Sequence, residues 1–427
     1  MPIRRYVSAL ALQLLVVTLL STGCAGGQAS TSSVSFMVFG DPAELAAYQD
    51  VVSAFEAAQP AIDVELIHIP DQGDYRERLG NDFAAGTPAD VVLINYRRFA
   101  PFAQAGVLEP LGPWLDRSTV IFQEDFYPQA LEPFRYQGDL WCIPQNLSSL
   151  VVYYNKALFD QAGLAYPSDD WTWDEFLQTA QALTRDLDGD GATDQFGLGT
   201  EVSIFRVAPF IWQNGGELVD SQFEPTRLAI NSRPAREAIQ FFVDLQVRHR
   251  VVPNAAEEEA EDSESRFQNG RTAMYLNSRR GVPTYRQITG FDWDVAALPQ
   301  NVQRAGILHS DAFCSPASAD DKEAVWRFIE FANSPEGQAI LAASGRTVPS
   351  LTEVAESEAF LDPDAMPANS RVFLDTIPYI RGVPVHPGWV EVETLSGDEL
   401  ERAFYGDATV EEAIQAAITR TTFFFGE

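Results

Sequence analysis

Apolar residues set the rhythm of the chain from Val34 onward. The run VSFMVF (34–39) predicts a buried strand that stops at Gly40-Asp41-Pro42. Leu45, Tyr48, Val52 and Phe55 then recur at helical spacing, and Pro60 follows the helix. Ile62, Val64 and Leu66 alternate as a second strand, which runs to Ile69 and breaks at Pro70-Asp71-Gln72. Tyr75, Leu79 and Phe83 mark a second helix, ended by Gly86-Thr87-Pro88, and VVLI (91–94) is a third strand leading into Asn95-Tyr96-Arg97. This β-α-β-α-β order predicts an α/β protein with a mostly parallel sheet and helices on both faces. In such sheets ligands bind beyond the carboxyl ends of the strands. Asp41, Asp71 and Asn95 stand at those ends, and Glu44 follows Asp41 within the first helical turn, so these four are candidate ligand-binding residues.

The stretch Gly138–Lys156 (GDLWCIPQNLSSLVVYYNK) holds two short β-type runs broken by Pro144 and polar residues. It reads as a chain leaving one sheet and entering another, or as an ordinary strand–bulge–strand. Thr172 and Glu175 form a capping box, and Trp171 with Phe176 a hydrophobic staple, which gives Trp171 and Trp173 structural roles. Asp186, Asp188, Asp190 and Asp194 alternate around Gly191 as in the first nine positions of an EF-hand loop, but Gly197 occupies the twelfth, where a bidentate Glu belongs. These four carboxylates are candidate ligands for a structural Ca²⁺, or an acidic surface turn. Ala235–Val247 is an amphipathic helix, and Glu257–Glu264 a solvated acidic run.

The first residues bear on the compartment. Arg4 and Arg5 precede an apolar run, Ala9–Leu20, too short to span a bilayer comfortably, and Ser21-Thr22-Gly23 leads to Cys24. The pattern resembles a bacterial lipoprotein signal: residues 1–23 a signal peptide, Cys24 the lipidated residue, and 24–33 a flexible tether. A short anchor that stays attached is the alternative. The roughly 400 residues that remain suit two lobes better than one core. The formal charge of −32 becomes −34 once Arg4 and Arg5 are removed. So acidic a surface argues against nucleic acid, anionic lipid headgroups and polyanionic substrates as partners. Cys142 and Cys314 either pair or stay as buried thiols. No nucleophile elbow, zinc helix, phosphate loop or dinucleotide fingerprint occurs, and the four His are scattered, so no enzyme is expected.

Several blocks carry a resemblance: Gly138–Lys156 with the helix signal after it, the Trp-Asp-Glu-Phe helix start at 173–176, Ile204–Trp212 followed by Gln213-Asn214-Gly215-Gly216, Phe267…Gly270…Ala273-Met274, Ser334-Pro335-Glu336-Gly337-Gln338, and Gly345–Ser350. In this order they resemble the extracytoplasmic solute-binding proteins of ABC importers, in the carbohydrate-binding group that includes maltose-binding protein. The resemblance implies a two-lobed periplasmic-binding-protein-like fold (type II), each lobe a mixed, mostly parallel sheet flanked by helices, joined by three crossings. Residues 34–145 plus 277–330 would form the N-terminal lobe and 146–276 plus 331–427 the C-terminal lobe. It further implies a monomer that closes on a sugar or sugar derivative and delivers it to ABC permease subunits. No cofactor would be required, and the membrane would be met only through the lipid anchor. Asn146 and Asp311 join the hydroxyl-binding candidates. Trp389 falls where relatives place an aromatic on the sugar, and Trp212 either lines the cleft or is core. Arg279 and Arg280 replace a stacking aromatic and would stack on a sugar or pair with an acidic group on it. The rival readings are a lipid-anchored hydrolase of extracellular glycans and a surface protein that binds another protein.

Overall fold

The computed structural model describes residues 32–426. Cys24, the signal segment and most of the tether lie outside the described residues. The strands used below are β1 (Ser32–Phe39), β2 (Ile62–Ile69), β3 (Val91–Asn95), β4 (Ile143–Pro144), β5 (Val151–Asn155), β6 (Phe196–Gly199), β7 (Thr272–Asn277), β8 (Trp293–Ala296) and β9 (Asp311–Cys314). They form two sheets, ordered β2-β1-β3-β9-β4 and β8-β5-β7-β6. Ser32 already pairs with Ile62, so β1 includes two residues ahead of the apolar run.

In the first sheet β1 runs parallel to both β2 and β3, as the β-α-β-α-β pattern requires, while β9 returns antiparallel between β3 and β4. The crossovers are helices α1 (Pro42–Ala58) and α2 (Gln72–Ala85), each capped by the aspartate two residues beyond the preceding strand, Asp41 and Asp71. Phe36 on β1 lies 5.5 Å from Tyr48 of α1, 5.6 Å from Phe313 of β9 and 5.0 Å from Phe328, ring centre to ring centre. Each such aromatic pair contributes roughly 0.5–1.5 kcal/mol beyond its buried area. Cys142 and Cys314 form a disulfide beside β4 and β9. In the second sheet two of the three pairings are antiparallel, and only β6 with β7 is parallel.

Three segments run side by side between the sheets. Asn146 bridges to Pro349 and Ser148 to His309. The Leu147 N–H donates to Val348 O at 3.0 Å, and Ser148 and His309 exchange backbone bonds of 2.8 Å. These are three crossings, but two of the expected lobe boundaries move. Trp293–Ala296 pairs with Val152–Asn155, so the chain re-enters the first sheet only at Asp311, not near 277. Helix α3 (Pro335–Ala343) packs on α1, and residues 350–355 still pack on the first lobe, so residues after 331 do not pass at once to the second. Among the described residues no helix is long and apolar enough to cross a membrane.

Candidate functional site

Strand order brings the carboxyl ends of β1, β2 and β3 together with the start of β9, on the side that faces the second lobe. Three adjoining cavities of about 110, 230 and 330 Å³ open there, and all three are lined by Phe39 and Gln72. A larger concavity of about 750 Å³ lies at another part of the interlobe boundary, between Arg135–Gly138 and Gln222–Thr226, away from those strand ends.

Register explains the centre of the cleft. Asp311 on β9 pairs with Asn95 on β3, so the Asn95 Nδ2 donates to Asp311 Oδ1 at 3.1 Å. The Asp311 N–H donates to Asn146 Oδ1 at 3.0 Å, and this ties the hinge to the same point. Burial raises the Asp311 carboxyl above its ordinary range, against the opposing pull of the Asn95 bond and nearby arginines. Asp41 accepts from the Ala43 and Glu44 N–H groups, both at 2.9 Å, and its other oxygen meets Arg346 Nη1 at 2.9 Å. Arg346 Nη2 lies 2.8 Å from Glu44 Oε2. Glu44 is nevertheless pushed up to about 7, chiefly by burial and then by the Asp311 and Asp41 charges, with Arg346 opposing. Gly40, at φ +126°, is required here, because a Cβ at this position would lie 1.6 Å from Glu44 Oε2.

The two lobes also touch across the cleft. Arg97 follows β3, its Nε donates to Asn95 Oδ1 at 3.1 Å, and its Nη1 pairs with Glu393 of the second lobe. Its guanidinium also lies 4.0 Å from the centre of the Phe205 ring. His309, buried beneath these arginines, is held neutral by burial and by the charges of Arg206, Arg97 and Arg280.

Of the sequence candidates, Asp41, Glu44, Asn95, Asn146, Asp311 and Arg280 line these cavities. Asp71 does not: it is the exposed cap of α2, accepting from Gly73 and Asp74 N–H, while its neighbour Gln72 faces the cleft. Trp212 is 1% exposed, on a helix whose residues Ile204–Gln213 are all buried, and Arg381 covers its ring at 4.8 Å. Trp389 is fully buried, because Pro387-Gly388 is not a free loop but the start of helix α4 (Trp389–Phe404), with Phe424 closing over Gly388. Arg279 is also core. It donates to Gly345 O at 2.7 Å and Ser370 Oγ at 3.0 Å, beside the Phe360 and Phe373 rings. The pattern had not singled out Gln72, Arg76, Arg98 or Arg346. The Arg97-Arg98 pair, one residue beyond a buried strand, was the visible signal for two of the cleft arginines.

Asp186, Asp188 and Asp194 each present an oxygen within 4.8 Å of the others at the surface. Asp186 accepts from the Gly189 and Gly191 N–H groups at 2.7 and 2.9 Å, which lowers its carboxyl. Asp190 instead caps its own turn through the Ala192 N–H and stays outside the cluster. The donor set fits a hard cation. The twelfth-position clamp is barred sterically, since a Cβ on Gly197 would lie 1.9 Å from Ala180 O.

Two lobes, three crossings and a polar cleft over converging strand ends define a two-lobed binding protein. The model of the bacterial extracellular solute-binding protein family matches residues 40–339, and the chain belongs to that family. A mannitol-binding protein of Pseudomonas aeruginosa is 24% identical over 403 residues, covering 86% of this chain and 88% of the relative. An ABC substrate-binding protein of Listeria monocytogenes, solved in complex with cycloalternan, superposes with a TM-score of 0.85 at 26% identity over 93% of this chain and 99% of that one. The maltose-bound T. maritima MalE3 shares the fold, with a TM-score of 0.77 at 24% identity over 92% and 99% of the two chains.

Proposed function

We propose that the protein captures a sugar, polyol or sugar derivative in this cleft by lobe closure and delivers it to the permease of an ABC importer, without turning it over. The observation that carries this reading is the convergence of Asn95, Asp311 and Asn146 on one point at the hinge, where hydroxyl-bonding groups of the first lobe meet the crossing segments. A ligand touching both lobes stabilises the closed state by its differential affinity for it. In this reading Cys24 carries the lipid that holds the protein at the outer face of the cell membrane. The protein acts as a monomer, and the Asp186–Asp194 loop takes a structural Ca²⁺ that plays no part in capture. Galactose, glucose, mannitol, maltotriose and glycerol, each with calcium, form the panel for a thermal-shift screen with product analysis. A binder gains stability with concentration and returns the solute unchanged. Cleavage of maltotriose would instead establish a hydrolase.

A further inference from the structure

We propose that the solute carries a compact anionic group, a phosphate or a carboxylate, held by Arg76 and Arg98 from the first lobe and by Arg280 from the second. The proposal rests on the reading of the cleft as the solute site and narrows its ligand class. Arg76 projects from α2 and Arg98 follows β3, and both line the cavity of about 230 Å³ with Asn95 and Asp311. Arg76 and Arg280 both line the adjoining cavity of about 110 Å³, which shares Arg76, Asn95 and Asp311 with the first, so the three arginines border two neighbouring cavities.

Acidic residues outnumber basic ones 61 to 29 in this chain, so carboxylate partners are plentiful. Arg97 takes Glu393, and Arg346 takes Asp41 and Glu44. Arg76, Arg98 and Arg280 make no ion pair among the described residues, although Asp311 and Glu391 border the same cavities. The Arg98 Nε is buried with no acceptor. Burial, then the charges of Arg76 and Arg97, press the Arg98 guanidinium down to about 10 against the smaller pull of Glu393 and Glu391, and Arg76 is lowered by burial and Arg97, which outweigh Asp311 and Glu393. Packing like charges together in a half-buried space costs stability unless an anion offsets it. A planar guanidinium matches phosphate or carboxylate oxygens in a two-point fork, which a neutral hydroxyl uses less well. The acidic exterior does not oppose this, since salt screens surface charges beyond about 8 Å while the three arginines would touch the ligand. Phe39, Leu79 and Val390 supply an apolar wall for the ligand's carbon face.

Calorimetric titration with matched pairs tests this: glucose with glucose 6-phosphate, galactose with galacturonate, and glycerol with glycerol 3-phosphate, alongside inorganic phosphate alone. The expected result is that at least one anion binds about a hundredfold more tightly than its neutral partner. The phosphate and carboxylate members then separate the two sources of charge. Arg76→Gln and Arg98→Gln each weaken that binding about tenfold or more, while the melting temperature of the unliganded protein holds or rises because like-charge repulsion is relieved. A structural role for either arginine would lower it instead, and that result overturns the assignment. Equal binding of a neutral partner, or affinity unmoved by both substitutions, also overturns the inference and leaves neutral-solute binding standing. A response to inorganic phosphate alone, insensitive to the substitutions, marks an adventitious ion only and counts against it. Silence from every anion while a neutral solute binds overturns it too, and silence from all solutes removes both readings.

Discussion

Glu44→Gln should change how stability responds to pH. The Glu44 side chain is almost wholly buried, and its carboxyl is raised from 4.5 to about 7 in the folded protein. The folded state therefore holds a proton that the unfolded state has already released. The stabilisation is fully present below about 4.5, and it is lost as pH rises through the folded value near 7. Between pH 5 and pH 8 the two values imply a loss of about 2.5 kcal/mol from this one group, each tenfold step being about 1.4 kcal/mol. Glutamine keeps the shape and cannot ionise, so the variant escapes that loss. Thermal unfolding of wild type and variant at both pH values isolates the effect, because other titrating groups cancel in the double difference. On a chain of this size the double difference is on the order of 4 °C, in favour of the variant at high pH. A variant that follows the wild-type pH profile in parallel would refute the reasoning, and would mean that Arg346 keeps Glu44 ionised throughout.

Four further perturbations address the contact between the lobes and the build of the first lobe. Arg97→Ala removes both the ion pair to Glu393 and the stack on Phe205. It should weaken ligand binding roughly thirtyfold, about 2 kcal/mol of closure, as read by fluorescence titration, and Glu393→Gln should do much the same from the other lobe. Reducing the Cys142–Cys314 disulfide, which spans 172 residues, should destabilise the first lobe by about 2–5 kcal/mol in denaturant unfolding. Gly40→Ala forces a positive φ on a residue with a side chain and pushes Glu44 away from Arg346, so a loss of about 2 kcal/mol is expected in the same assay.

Much of the first lobe could be read from apolar spacing. Val34–Phe39, Ile62–Ile69 and Val91–Ile94 are strands because each is an apolar or alternating run bounded by turn formers, and their parallel order followed from the helices between them. Asn95 was legible as a polar residue at a strand terminus and Asp311 through the family resemblance, but their pairing depends on β9 entering antiparallel beside β3, which no local pattern encodes. The aromatic and basic candidates misled for a related reason. Trp389, Trp212 and Arg279 carry chemistry suited to a cleft, yet each is covered by a segment distant in sequence: Phe424 over the start of α4, Arg381 over Trp212, and Phe360 with Phe373 beside Arg279. Arg76 escaped notice because the helical pattern there marks Tyr75, Leu79 and Phe83, and the orientation of the rest of α2 toward the second lobe is a tertiary fact. The second-lobe boundary failed for the same reason, since Trp293–Ala296 reads equally well as a strand of either sheet.

In the proposed function a solute bound between the lobes draws them together. Small-angle scattering of the protein, alone and saturated with whichever solute of the panel stabilises it, tests that claim most directly. A smaller radius of gyration is expected at one equivalent of solute, with a smaller contraction in Arg97→Ala. A solute that saturates the protein with no change in its dimensions would contradict lobe closure as the means of capture.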